Sequence, residues 1–197
     1  MDQGTLKNTG AACTLTLSVG EGLDYAYGGS IAESGNGITL LKTGAGKQTL
    51  SGDISNLNIE IQDGTINTEG TAFASSASVQ SGGTLRLTTD GMTMDSLSAG
   101  TITLPEDMVL SLEFLDGTPR VAGEFQILTQ TDPFTYTAEY LTSLLPDSQS
   151  YWTLRVDGNA VFASVSANAV PEPAAWLLLL LGAGLLSMTH FKRKKRA

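Results

Sequence analysis

Histidine is nearly missing from this 197-residue chain; the single one is His190, close to the C-terminus. Without an imidazole the body cannot hold a Ser-His-Asp or Cys-His catalytic set, nor a histidine-ligated zinc. Cysteine is equally scarce. Cys13 stands alone, so neither an intrachain disulfide nor a cysteine-based metal site can form. The expectation for a lone cysteine is a small buried hydrophobe. Basic residues are few before the last segment: Lys7, Lys42, Lys47, Arg86, Arg120 and Arg155, against 20 acidic residues between Asp2 and Glu172. That balance argues against binding a phosphate backbone, so no nucleic-acid partner is expected. Helix-favouring runs are almost absent before Ala174. No apolar leader stands in Met1 to Gly10, and the chain reads as opening inside a repeat, which suggests a fragment or a displaced start. Gly44-Ala45-Gly46-Lys47 lacks the spacing of a phosphate loop, and Gln48 stands where a hydroxyl residue belongs. No cofactor is expected.

What is present points to strands. Glycine is abundant, with 22 residues, and Ser and Thr recur throughout. Apolar residues alternate at Leu15, Leu17 and Val19, at Leu57, Ile59 and Ile61, at Leu85 and Leu87, and at Ile102 and Leu104. A period of two places one face of a strand inward. Asn36-Gly37, Asp63-Gly64, Gly82-Gly83 and Asp90-Gly91 read as the intervening turns. A Gly-Thr-apolar triplet recurs at Gly64-Thr65-Ile66, Gly83-Thr84-Leu85 and Gly100-Thr101-Ile102, with Gly4-Thr5-Leu6 out of step. A looser match joins Thr9 to Ser18 with Thr43 to Ser51.

A repeat of about 17 to 20 residues with short strands and glycine turns suits a right-handed parallel β-helix, in which stacked coils bury one another's inward side chains. An antiparallel sandwich has similar periodicity and stays open as the alternative. The fold class is therefore all-β. Residues 1–104 are assigned to the repeats and 105–168 to a C-terminal β cap, because Pro105 breaks the pattern and most aromatics follow. Within the cap, Trp152 to Val156 and Val161 to Ala167 flank Asp157-Gly158-Asn159 as a hairpin, and one short helix is expected between Phe134 and Leu145.

The C-terminus differs in kind. Val170, Pro171, Glu172 and Pro173 lie in a linker, 169–173. Residues 174–191 follow without a charge and include Trp176 and the leucines Leu177, Leu178, Leu179, Leu180 and Leu181. As a helix this stretch spans roughly 27 Å, enough for a bilayer core. Lys192, Arg193, Lys194, Lys195 and Arg196 close the chain within 192–197 and would fix that end in the cytoplasm. A single-pass membrane helix is expected, with the acidic body on the other side.

This order of a Pro-Glu-Pro motif, a short apolar helix and a basic terminus resembles the PEP-CTERM sorting signal. The resemblance implies recognition of Pro171, Glu172 and Pro173 by an exosortase in the membrane. It further implies release of the body to the cell surface or its polysaccharide matrix. Leu40 to Gly52, with Lys42, Gly44, Gly46, Leu50 and Gly52 at matching places, resembles the autotransporter-associated β-strand repeat. That family implies a secreted β-helical passenger and no shared catalytic residue.

Carboxylates are the remaining candidates for chemistry. Asp53, Glu60, Asp63 and Glu69 could line one face and serve a polysaccharide-cleaving pair, or form a solvated acidic surface. Calcium could meet Asp63, Asp90, Asp116 or Asp157, each followed by glycine, although no Asp-x-Asp-x-Asp loop exists. The sequence favours a non-enzymatic surface or matrix protein with an adhesive or structural role. The alternative is a carbohydrate-binding or carbohydrate-cleaving module that would use Tyr25, Tyr27 and Trp152 beside paired carboxylates.

Overall fold

The computed structural model describes residues 4–33, 37–52, 54, 57–116, 118 and 121–165, all within one compact unit, Met1–Ala167. Strands take 57% of them, with one small α-helix among the described residues, so the described part of the chain is mostly β. In order, the strands are β1 (Thr5–Asn8), β2 (Cys13–Ser18), β3 (Asp24–Tyr27), β4 (Ser30–Glu33), β5 (Ile38–Thr43), β6 (Lys47–Leu50), β7 (Leu57–Ile61) and β8 (Gly64–Thr68). Then come β9 (Thr71–Val79), β10 (Gly83–Thr89), β11 (Ser96–Thr103), β12 (Val109–Phe114) and β13 (Gly123–Gln130). Helix α1 (Ala138–Ser143) and a 3-10 turn (Asp147–Gln149) precede β14 (Trp152–Asp157) and β15 (Ala160–Val165).

Strand order follows from the way the chain alternates between sides. One sheet has the order β12-β10-β8-β6-β3, a second β14-β15-β13-β11-β9-β7-β5-β2, and β1 pairs with β4. From β1 to β13 the named strand pairs are parallel; β13, β15 and β14 pair antiparallel. Each excursion to the other sheet returns the chain one position further on. The register sets the repeat: Leu40 lies beside Ile59 and Ile59 beside Ala77, while Gln48 lies beside Ile66 and Ile66 beside Leu85. The spacing widens at Leu15 beside Leu40 and at Leu85 beside Leu110.

These registers turn sequence periodicity into columns. Leu40, Ile59, Ala77 and Ile102 stack inward on the larger sheet, and Ile66, Leu85 and Leu110 on the smaller. All seven are buried. Such apolar columns supply the main driving force, at about 25 cal/mol for each Å² removed from water. Two corners show why the repeat needs glycine. Gly64 has φ of 69°, and a Cβ there would stand 2.5 Å from the Gly46 carbonyl oxygen of the preceding turn. At Gly52 a Cβ would run into the Gly29 carbonyl. Backbones this close leave no room for a side chain.

The internal repeats are only partly what they looked like. Gly64-Thr65-Ile66 and Gly83-Thr84-Leu85 are in register on β8 and β10. Gly100-Thr101-Ile102 instead lies in β11 on the other sheet, with Thr101 beside Ser76. The match between Thr9–Ser18 and Thr43–Ser51 joins β2 to β6, but β2 pairs with β5. Similar turn chemistry at two corners produced it. The alternation also continues past Pro105, since β12 adds to β10 and β13 to β11.

The ends of the stack differ. Beyond β12, the Leu110 N–H donates to the Leu144 carbonyl at 2.9 Å, and the Leu112 N–H donates to Gln149 Oε1 at 2.8 Å. The indole N–H of Trp152 donates to the Leu112 carbonyl at 3.0 Å, and Phe114 stacks on its ring. Tyr136 and Tyr140 likewise hold both polar groups of the Leu104 backbone. At the other end β1, β2 and β3 each lie last in their sheet among the described residues. Leu6, Leu23 and Tyr25 are exposed there, and a cavity of about 280 Å³ opens between Leu6, Leu15, Leu17, Tyr27, Ile31 and Leu50.

Candidate functional site

The described fold ends with β15, whose last residue, Val165, lies beside Trp152 on one side and Gly123 on the other. The sorting candidates Val170, Pro171, Glu172 and Pro173 lie outside the described residues. So do Trp176, Leu177 to Leu181 and Lys192 to Arg196, with the whole of the expected membrane helix, 174–191. Among the described residues no helix is long and apolar enough to cross a membrane.

Within the body, two of the candidate carboxylates, Asp63 and Asp90, are held by their own turns. Asp63 Oδ1 accepts from the Gly64 N–H at 2.7 Å. Asp90 Oδ1 accepts from the Met92 and Thr93 N–H groups at 2.8 and 2.7 Å, and these bonds pull its pKa below the ordinary value. Asp157 pairs with Arg155 at 2.9 Å, and Asp116 is exposed. Glu60 lies on β7 and Glu69 beyond β8; Asp53 is outside the described residues. No group of three or more His, Cys, Asp or Glu among the described residues could hold a metal ion.

The aromatic residues expected to meet a sugar are placed differently. Trp152 is 2% exposed, with its indole N–H already bonded, so it cannot stack on a ligand. The Tyr27 hydroxyl donates to the Gly4 carbonyl at 3.2 Å, while Tyr25 is exposed. Cys13 is exposed at the start of edge strand β2, not buried as its type suggests. The strand at the end of the sheet has no neighbouring described strand to cover it.

Two residues have places that the sequence does not reveal, although Lys42 is already marked as a position of the repeat. Lys42 is fully buried, and its ammonium donates to the carbonyls of Thr43 at 2.9 Å, Gly44 at 2.5 Å and Asp63 at 3.2 Å. It ties a corner to the next turn of the chain. Burial lowers its pKa, and the Asp63 charge partly restores it. Only its place two residues before Gly44 signalled this in the sequence. Phe73 is the other. It sits on β9, outside the core, and is 57% exposed. Lying between Ala72 and Ala74, it reads as one more apolar strand residue.

No curated protein matches the chain. Residues 169–196 match the model of the PEP-CTERM protein-sorting motif, and a signal of that kind implies an exported protein that is recognised by an exosortase and reaches the cell surface.

Proposed function

We propose that this chain is a non-enzymatic surface or extracellular-matrix protein with an adhesive or structural role. Its body is read as a right-handed parallel β-helix closed by a C-terminal β cap, and its tail as a sorting signal held in the membrane by a single helix. The sorting match at 169–196 is the observation that carries this reading. The parallel alternation of strands between two sheets supports the β-helix, and a crossover between parallel strands is almost always right-handed. The autotransporter-type repeat belongs with this reading, because Lys42 and its glycines serve a corner between successive turns of the chain. The non-enzymatic part is supported by carboxylates bonded within their own turns. A carbohydrate-binding or carbohydrate-cleaving module that uses Trp152 beside paired carboxylates is the weaker alternative, since Trp152 is occupied in the interior.

Intact mass and fractionation in a host that has an exosortase test the proposal. The expected result is a body outside the cell that has lost the residues after about Pro173. An uncut chain retained in the inner membrane would make the tail an anchor only and overturn the sorting role.

A further inference from the structure

The body is acidic, yet part of its larger sheet, from β2 to β11, is almost without charge; beyond it Glu124 of β13 and Asp157 of β14 pair with Arg155. Strands β2, β5, β7, β9 and β11 contain only two charged residues, Lys42, which is buried, and Glu60. Their other outward positions are mostly Ser, Thr and Asn. The smaller sheet contrasts with this. There Asp24 pairs with Lys47, and Arg86 with Glu113. The remaining acidic residues concentrate in turns such as Asp63, Asp90, Asp95 and Asp107.

Phe73 stands on this part of the sheet. Its strand neighbour in register is Ser98 of β11, whose neighbour on the far side is Thr129 of β13. The three therefore form a row across adjacent strands, about 4.8 Å apart at each step. Gln126 reaches Thr129 Oγ1 with its side-chain amide at 2.5 Å, beside the register shift in β13. Met94 and Ser96 complete the border of a shallow groove of about 440 Å³. The site combines one exposed ring, one amide and a set of hydroxyls, with no charge in its lining.

We propose that this groove binds a neutral polysaccharide. A sugar ring presents a weakly positive C–H face, which fits the negative face of an aromatic ring. Hydroxyls and an amide, each able to donate and accept, match the hydroxyls around that ring. An uncharged lining on an acidic body disfavours both an anionic glycan and an anionic membrane by like-charge repulsion. A large apolar protein partner would want more than a single ring. The proposal extends the surface-protein reading by naming a partner, and the two fail separately, because binding is measured on purified protein and export is not.

The test is affinity electrophoresis of the intact chain, in a polyoxyethylene detergent, through gels containing hydroxyethyl cellulose, galactomannan or dextran. At least one neutral polymer is expected to retard the parent chain. The apparent dissociation constant should rise at least tenfold in Phe73→Ala and Phe73→Leu, and should be kept or lowered in Phe73→Trp. Leucine keeps the apolar bulk without the ring, and circular dichroism checks that each variant is folded. No retardation by any of the three polymers would overturn the proposal. So would equal retardation of Phe73→Ala, or stronger retardation by carboxymethyl cellulose than by its neutral counterpart.

Discussion

The two ends of this strand stack face the same physical problem and meet it differently. A parallel stack exposes backbone donors, acceptors and inward apolar side chains wherever it stops. At the β12 end, residues from later in the chain take those groups. Gln149 bonds the Leu112 N–H, Trp152 the Leu112 carbonyl, and Leu144 supplies a carbonyl to Leu110. At the β1–β3 end the described residues leave Leu6, Leu23 and Tyr25 exposed above an apolar cavity. Stability should therefore be graded along the stack, because a turn held on both sides opens less readily than one held on a single side.

Substitutions at the two ends can break that comparison. The largest effect is expected for Trp152→Ala, which removes a buried ring from between Phe114 and Phe125 and leaves the Leu112 carbonyl without its donor. Urea unfolding of the intact chain should show a loss of about 3–5 kcal/mol. Gln149→Ala leaves a buried N–H unpaired with little change in apolar packing, and should cost about 1–3 kcal/mol in the same assay. Leu6→Ser, at the opposite end, should stay within about 0.5 kcal/mol of the parent, because Leu6 is 42% exposed. Equal losses from Leu6→Ser and Trp152→Ala would mean that the ends are held alike.

Much of the architecture was legible because strand periodicity reports burial. Leu57, Ile59 and Ile61 alternate in the sequence and are the buried positions of β7. Trp152 to Val156 and the residues after Gly158 read as a hairpin, and β14 pairs with β15 antiparallel. Other features were hidden. Cys13 belongs to a residue type that is usually buried, and only its place on an end strand exposes it. Lys42 is marked only by its place in the repeat, yet three carbonyls from two turns of the chain converge on it. The Gly100 triplet resembled its fellows, yet Gly64 and Gly83 open strands whereas Gly100 lies inside β11, and local composition does not separate the two places.

By itself, the sequence determined that the body is built of short strands, that no imidazole serves it, and that residues 169–196 carry a sorting motif. Each of these depends on residue type and local spacing, which need no knowledge of distant neighbours. Only the tertiary structure decided that β2 pairs with β5 rather than β3, that Trp152 is spent on the Leu112 carbonyl, and that Phe73, Ser98 and Thr129 form one row. A period of two says which side of a strand faces inward. It says nothing about which strand lies alongside, because that choice rests on hydrogen bonds and contacts between residues far apart in the chain.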